Sequence, residues 1–277
     1  MNLQDATRLV WYFDFVSPYS YLQFASYPEL VRAAELRPVL FAGLLNHWGS
    51  KGPAEIPAKR LQTYRHTCWM AGQHGIVMAY PPAHPFNPIR ALRLALALEC
   101  RFDAVETIFE FIWKDGRSVE DEWPALVTRL QLNLAEADAM VAAQPVKDAL
   151  AANGRAAIAR GVYGVPTFEA LRERPGASGV KSERPDASGV KSVERPGASG
   201  VKSERPDASG VKSDERPGAN GVTSVEQPDA SGATTGDLFW GLDATDMLLD
   251  YLVDPAMFEA PEMRRIAGLP VGAARKP

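Results

Sequence analysis

The segment Asp14-Phe15-Val16-Ser17-Pro18-Tyr19 puts a hydroxyl where a reactive group could be held. The run Arg8 to Phe15 (RLVWYFDF) before it is apolar and aromatic, of strand type. Pro18 suits the first position of a helix, and Ser17 is an N-cap candidate. A group at such a junction faces backbone N–H donors and the positive end of the helix dipole, both of which favour an anion. A cysteine there would be a stabilised thiolate. A serine cannot become one, but its hydroxyl can donate a hydrogen bond to one. The same position suits a plain N-cap, worth about 1 kcal/mol, and position alone leaves both readings open.

Gly164-Val165-Pro166-Thr167 is the second segment of chemical interest. A proline opening a strand either sits at an edge in trans or forms a cis bond at a tight functional turn. The two cysteines, Cys68 and Cys100, form no C-x-x-C, so dithiol redox chemistry and a disulfide framework are not expected. Each reads as a small buried hydrophobe. His66 and His74 have no metal-type companions, so no metal is expected. Asp14 reads as a strand-end residue with a structural hydrogen bond. A net charge of -4 gives no case for a nucleic-acid partner. No stretch approaches the roughly 20 apolar residues of a membrane span. Met1 to Arg8 has no secretory pattern, which makes cytoplasm the expected location.

The elements that must position these residues follow from hydrophobic periodicity. Pro18 to Glu35 reads as a helix with Pro28 as a kink, and Leu36 to Phe41 as a second strand. Gly43 to Trp48 is a short helical turn, and Ala58 to His74 is a helix stopped by Gly75. Ile76 to Pro85 is extended. Helices follow over Asn87 to Cys100, Asp103 to Lys114, Glu120 to Leu130, Ala135 to Ala142 and Pro145 to Arg160. Val165 to Ala170 and Asp237 to Gly241 read as two strands of a hairpin. Asp243 to Val253 closes as a helix capped by Asp243, with Met247, Leu248 and Leu252 inward.

Between the hairpin strands lies a repeat. Glu173 to Val193 recurs almost letter for letter from Glu194 to Asp214, and a decayed third copy starts at Glu215. Its half-units offer little apolar surface beyond one Val, too little for a stacked solenoid. Residues 172–235 therefore read as a disordered hydrophilic loop, placed where insertions are tolerated. A partner-binding tether is the functional alternative. The expected organisation is an α/β thioredoxin-like domain of residues 1–42, 144–171 and 236–277. A helical subdomain of residues 43–143 is inserted in it, and the repeat loop occupies 172–235.

The segments YFDFVSPYSYL, RPVLF, GPAEIPAKR, YPPAHPFNPIRALRLA, ARGVYGVPTF and LFWGLDATDML jointly resemble 2-hydroxychromene-2-carboxylate isomerases and the related kappa-class glutathione transferases, within the DsbA-like thioredoxin group. The resemblance covers nearly everything outside the repeat. It implies a cytoplasmic, glutathione-dependent isomerase of aromatic catabolism, working by reversible thiolate addition to an activated double bond. Ser17 would hydrogen-bond the glutathione sulfur, and Val165, before a cis Pro166, would pair its backbone with the cysteinyl unit. Lys59 matches the lysine that meets the glycyl carboxylate, and Asp243 the aspartate that takes the γ-glutamyl ammonium. Ser50 replaces an asparagine common in relatives. Leu242 replaces a polar residue and could contribute only its backbone.

An aromatic carboxylate substrate would need a flat wall and a cation. Tyr64, Arg65, Trp69, His84, Asn87 and Arg90 are the candidates, with Trp69 as wall and Arg65 or Arg90 as cation. A homodimer is compatible with the resemblance. A kappa-like transferase or peroxidase, and a non-catalytic thioredoxin-like binding module, are the alternatives.

Overall fold

The computed structural model describes residues 7–172, 236–270 and 272. The repeat, from residue 173 to residue 235, lies outside the described residues. Four strands form one mixed sheet in the order β2-β1-β3-β4. β1 (Arg8–Phe13) runs parallel to β2 (Glu35–Pro38) and antiparallel to β3 (Thr167–Leu171). β3 pairs antiparallel with β4 (Gly236–Trp240), which is the expected hairpin. A mixed sheet carrying many helices is the architecture that the sequence resemblance leads one to expect.

Side chains alternate across the sheet, as strand geometry requires. Leu9, Trp11, Phe13, Phe168, Ala170 and Phe239 face one core. Val10 and Tyr12 face the other, with Val39, Leu44 and Ala157. The larger core closes under α1 (Pro18–Ser26), α5 (Ile89–Ala97) and α6 (Phe102–Phe109). At its centre the Phe109 ring lies 4.7 Å from Phe15, 5.3 Å from Phe24 and 5.7 Å from Phe13. The smaller core lies under α3 (Phe41–His47) and α9 (Gln144–Ala159).

Several expected boundaries shift for local reasons. The helix after Ser17 breaks at Tyr27, because Pro28 supplies no N–H; α2 (Pro28–Arg32) then starts anew. The helix ending near Lys114 widens into a π-turn over Glu110–Lys114, which carries Trp113. α4 (Pro57–Gln73), α7 (Trp123–Arg129) and α8 (Leu134–Ala142) fall close to expectation. The closing helix α10 (Thr245–Val253) begins two residues late. Leu242–Ala244 form a 3-10 turn, so Asp243 lies inside that turn and no side chain caps α10. Met247 points outward rather than inward, at 39% exposure, while Leu248 is buried. An unexpected last helix, α11 (Pro261–Ala267), has no buried residue.

The β1–α1 junction is tied down from three directions. Asp14, fully buried, accepts from the Val16 N–H at 3.0 Å and the Phe41 N–H at 2.8 Å. The Trp113 indole donates to the Phe15 carbonyl at 2.8 Å, and the His84 imidazole contacts the Val16 carbonyl at the same distance. Gln23, also buried, accepts from the Trp11 indole at 2.6 Å and donates to the Thr245 hydroxyl at 2.8 Å. It thereby couples α1 to the start of α10.

Burial pushes the Asp14 carboxyl up to about 7, against the pull of its two N–H donors. An unfolded aspartate titrates near 3.9, so protonated Asp14 stabilises the fold below about pH 4. That contribution is lost as pH rises through the folded value. Relative to Asp14→Asn, the wild-type urea midpoint is expected to fall between about pH 4 and pH 7; parallel midpoint curves would refute the shift. Phe109→Ala is expected to cost about 3–5 kcal/mol in the same assay at fixed pH, because it empties the middle of the aromatic cluster.

Candidate active site

A cavity of about 990 Å³ opens at the C-terminal end of β1, within the upper range of small-molecule sites. Its wall includes Ser17, Tyr19, Ser50, His66, His84, Val165, Pro166, Trp240, Leu242 and Asp243. The apolar part of its lining includes Leu40, Phe41, Leu45, Met70 and Phe86. Two segments far apart in sequence, the β1–α1 junction and the start of β3, therefore meet across one space.

Ser17 is 6% exposed and is the N-cap of α1, its Oγ accepting from the Ser20 N–H at 3.2 Å. Among the described residues its hydroxyl donates only to the Val165 carbonyl, at 3.5 Å. That is the limit of a hydrogen bond, so the proton is available to a better acceptor. The Val165–Pro166 bond is cis. Gly241 donates its N–H to the Pro166 carbonyl at 2.8 Å, which docks the end of β4 beside this turn. Gly241 has φ +92, and a Cβ there would lie 2.4 Å from the Asp243 carboxylate. Only glycine lets the chain turn here and bring Asp243 to the rim.

His84 is fixed by both ring nitrogens. Nε2 lies 2.8 Å from the Val16 carbonyl, which can only accept, so Nε2 carries a proton. Nδ1 lies 2.8 Å from the Tyr64 hydroxyl, which also donates to the His84 carbonyl at 2.8 Å. Burial, with the Arg60 charge adding to it, holds His84 below the ordinary histidine value, although the Val16 hydrogen bond pulls the other way. His84 thus stands in the wall as a wedge behind the Ser17 turn, its charged form disfavoured by burial. Tyr64 supports it from behind and does not line the cavity itself.

Arg65, Trp69, Asn87, Arg90 and Lys59 are not brought to the wall. The reason on α4 is helical phase. Thr63, His66 and Met70 face the cavity, and Thr67 and Ala71 are buried, each at helical spacing. Arg65 and Trp69, four apart, fall on the outer face, with Trp69 61% exposed. Lys59 is exposed in the first turn of the same helix. Arg90 is taken by the helical block: it pairs with Asp138, and its guanidinium lies 3.9 Å over the Trp123 ring. Asn87 is exposed and accepts from the Ile89 N–H at 3.1 Å, a turn at the start of α5.

The wall also holds residues that sequence reasoning did not single out. The Tyr19 hydroxyl lies 3.0 Å from His66 Nδ1. Burial, with the Asp243 charge second, raises the Tyr19 phenol above its usual value. Tyr19 lies two residues beyond Ser17, and its proximity to the serine was the available signal. Trp240 had a signal of its own, standing three residues before Asp243 in LFWGLD. Neither cysteine lines the cavity: Cys68 is exposed on α4, and burial pushes the Cys100 thiol up to about 12. Among the described residues no cluster of three metal-ligating side chains occurs, and no helix is long and apolar enough to cross a membrane.

A solved 2-hydroxychromene-2-carboxylate isomerase matches with a TM-score of 0.55 and 16% identity, over 91% of this chain and 97% of that chain. A putative protein disulfide isomerase from Nitrosomonas europaea matches at 0.47 and 16% identity, over 61% of this chain and 86% of that one. A probable DsbA oxidoreductase from Streptomyces coelicolor matches at 0.44 and 20%, over 59% and 80%. No curated protein sequence matches the chain. Identities this low speak for the fold alone. The model of the DSBA-like thioredoxin domain matches residues 8–185, most of the described sheet and all of the helical block, and the chain belongs to that family.

Proposed function

We propose that this chain is a glutathione-dependent isomerase of the 2-hydroxychromene-2-carboxylate type, with Ser17 holding the cofactor sulfur as thiolate. The observation that carries this is a buried serine hydroxyl, held only by a 3.5 Å hydrogen bond to the Val165 carbonyl, in the wall of a cavity that no cysteine lines. Dithiol exchange needs two thiols at the site, and this site supplies none. A hydroxyl at the N-terminus of α1 suits a bound thiolate: it donates to the sulfur, and the helix dipole adds to the attraction.

Glutathione fits part of the wall. Ser17 and the Val165 backbone would take its cysteinyl unit, and Asp243 would take its ammonium. Leu242 and Ser50 border the same space. The glycyl carboxylate meets no Lys or Arg in the wall among the described residues, so Lys59 could serve it only from the exposed first turn of α4. When bound, glutathione would supply a nucleophile able to add reversibly to an activated double bond. The chain's own residues set the conditions for that chemistry. Ser17 holds the charge, His84 keeps the Ser17 turn in place, and the apolar part of the lining excludes water from the reacting bond.

A glutathione transferase or peroxidase would use the same sulfur on a different electrophile. Incubation with glutathione and a chromene carboxylate, beside a chloronitrobenzene and a hydroperoxide, separates them. Turnover of the chromene without loss of glutathione is expected; clear conjugation with no chromene turnover would reject the isomerase. Ser17→Ala is expected to stay folded, losing about 1 kcal/mol as a cap. Its kcat/KM should drop roughly 100-fold, since a donor to the reacting charge is gone. It should also raise the pH at which bound glutathione ionises, read from thiolate absorbance. Unchanged absorbance near neutral pH would remove Ser17 from the role.

A further inference from the structure

Sequence reasoning places the flat wall for an aromatic substrate at Trp69, which the fold turns away from the cavity. Another indole takes that place. Trp240, the last residue of β4, pairs with Thr167 across the hairpin, on the sheet face opposite the buried Phe239. It lines the Ser17 cavity and remains 49% exposed.

The ring is nevertheless fixed. Gly164 lies directly against it: a Cβ there would stand 2.4 Å from the indole nitrogen, so only glycine allows the approach. Tyr163 packs on it at 5.0 Å between ring centroids, tilted by 58°, and is itself 48% exposed. The Gly241 hydrogen bond to Pro166 holds the residue that follows. A large aromatic surface, left in water on a rigid frame beside a reactive position, is what a planar ligand covers favourably. Rigidity matters because little side-chain entropy is then lost on binding. Apolar residues of the same lining, Leu45, Met70 and Phe86 among them, would receive the rest of such a molecule.

We propose that Trp240, braced by Tyr163 and Gly164, is the stacking wall for a planar aromatic electrophile and determines specificity for that class. The proposal deepens the thiol-dependent assignment and rests on the Ser17 cavity being the reaction site. It gives the second substrate a place against the indole in the same cavity.

The test uses the full chain with chromone, a neutral planar aromatic, as probe. Affinity is read by equilibrium dialysis, and contact with the indole by tryptophan fluorescence. The wild type is expected to bind saturably with quenching. Trp240→Ala should bind about tenfold or more weakly. Trp240→Phe should keep most of the affinity while losing most of the quenching, which preserves the test if the alanine variant folds poorly. Trp69→Ala should change neither. Thiolate absorbance of added glutathione is followed in the same proteins. Its absence from the wild type would count against the thiol site and leave the aromatic wall standing. Unchanged chromone affinity in Trp240→Ala, or no saturable binding by the wild type, would overturn the proposal. Loss of glutathione affinity with chromone affinity intact would overturn it too, assigning the indole to the cofactor instead.

Discussion

The structure around the cavity depends on satisfying one short stretch of buried backbone, Asp14 to Ser17. A sharp passage from strand to helix leaves peptide groups that neither element can pair, and an unpaired buried group costs about 1–3 kcal/mol. The Val16 and Ser17 N–H groups are paired within the stretch, by Asp14, and the two carbonyls by rings from other parts of the chain. The Asp14 carboxylate takes two N–H groups, Trp113 takes the Phe15 carbonyl, and His84 takes the Val16 carbonyl. The helical block between β2 and β3 therefore does more than cover the sheet. Its π-turn and the proline-rich segment before α5 deliver the two ring donors that hold the turn from above.

A second tie runs through Gln23. Its amide is shared between the Trp11 indole, the Thr245 hydroxyl and, at 3.2 Å, the Gly241 carbonyl. One buried side chain thus sets the distance between the β1–α1 junction and the β4–α10 junction. The first carries Ser17, and the second carries Asp243 and Trp240. Neither junction could drift without breaking a buried hydrogen bond, which is how a two-sided site keeps its width.

Much of this was legible in the sequence, and the exceptions have physical causes. The N-cap serine, the proline turn at Val165–Pro166 and the β3–β4 hairpin are local patterns, readable from a few adjacent residues. The phase of α4 was not, because that helix buries little. Its cavity stripe and its core stripe lie one residue apart, so Arg65 and Trp69 looked as plausible as His66 and Met70. Arg90 was misplaced because its carboxylate partner, Asp138, stands 48 positions away on α8. His84 lines the cavity, yet its two partners, Val16 and Tyr64, come from separate segments that no spacing rule connects. The 3-10 turn at Leu242–Ala244 displaced Asp243 from its expected cap, since a glycine with positive φ precedes it.

The hairpin register carries one more consequence. Thr167 pairs with Trp240 beside the cavity, while Leu171 pairs with Gly236 at the other end of the ladder. Four residue steps, about 13 Å, separate the two ends. The chain is therefore interrupted at the point of the hairpin farthest from its reactive surface. Length added or removed there enters at the Leu171–Gly236 end of the ladder and not at the Thr167–Trp240 end. It is a place where an engineer could graft a label or a second module.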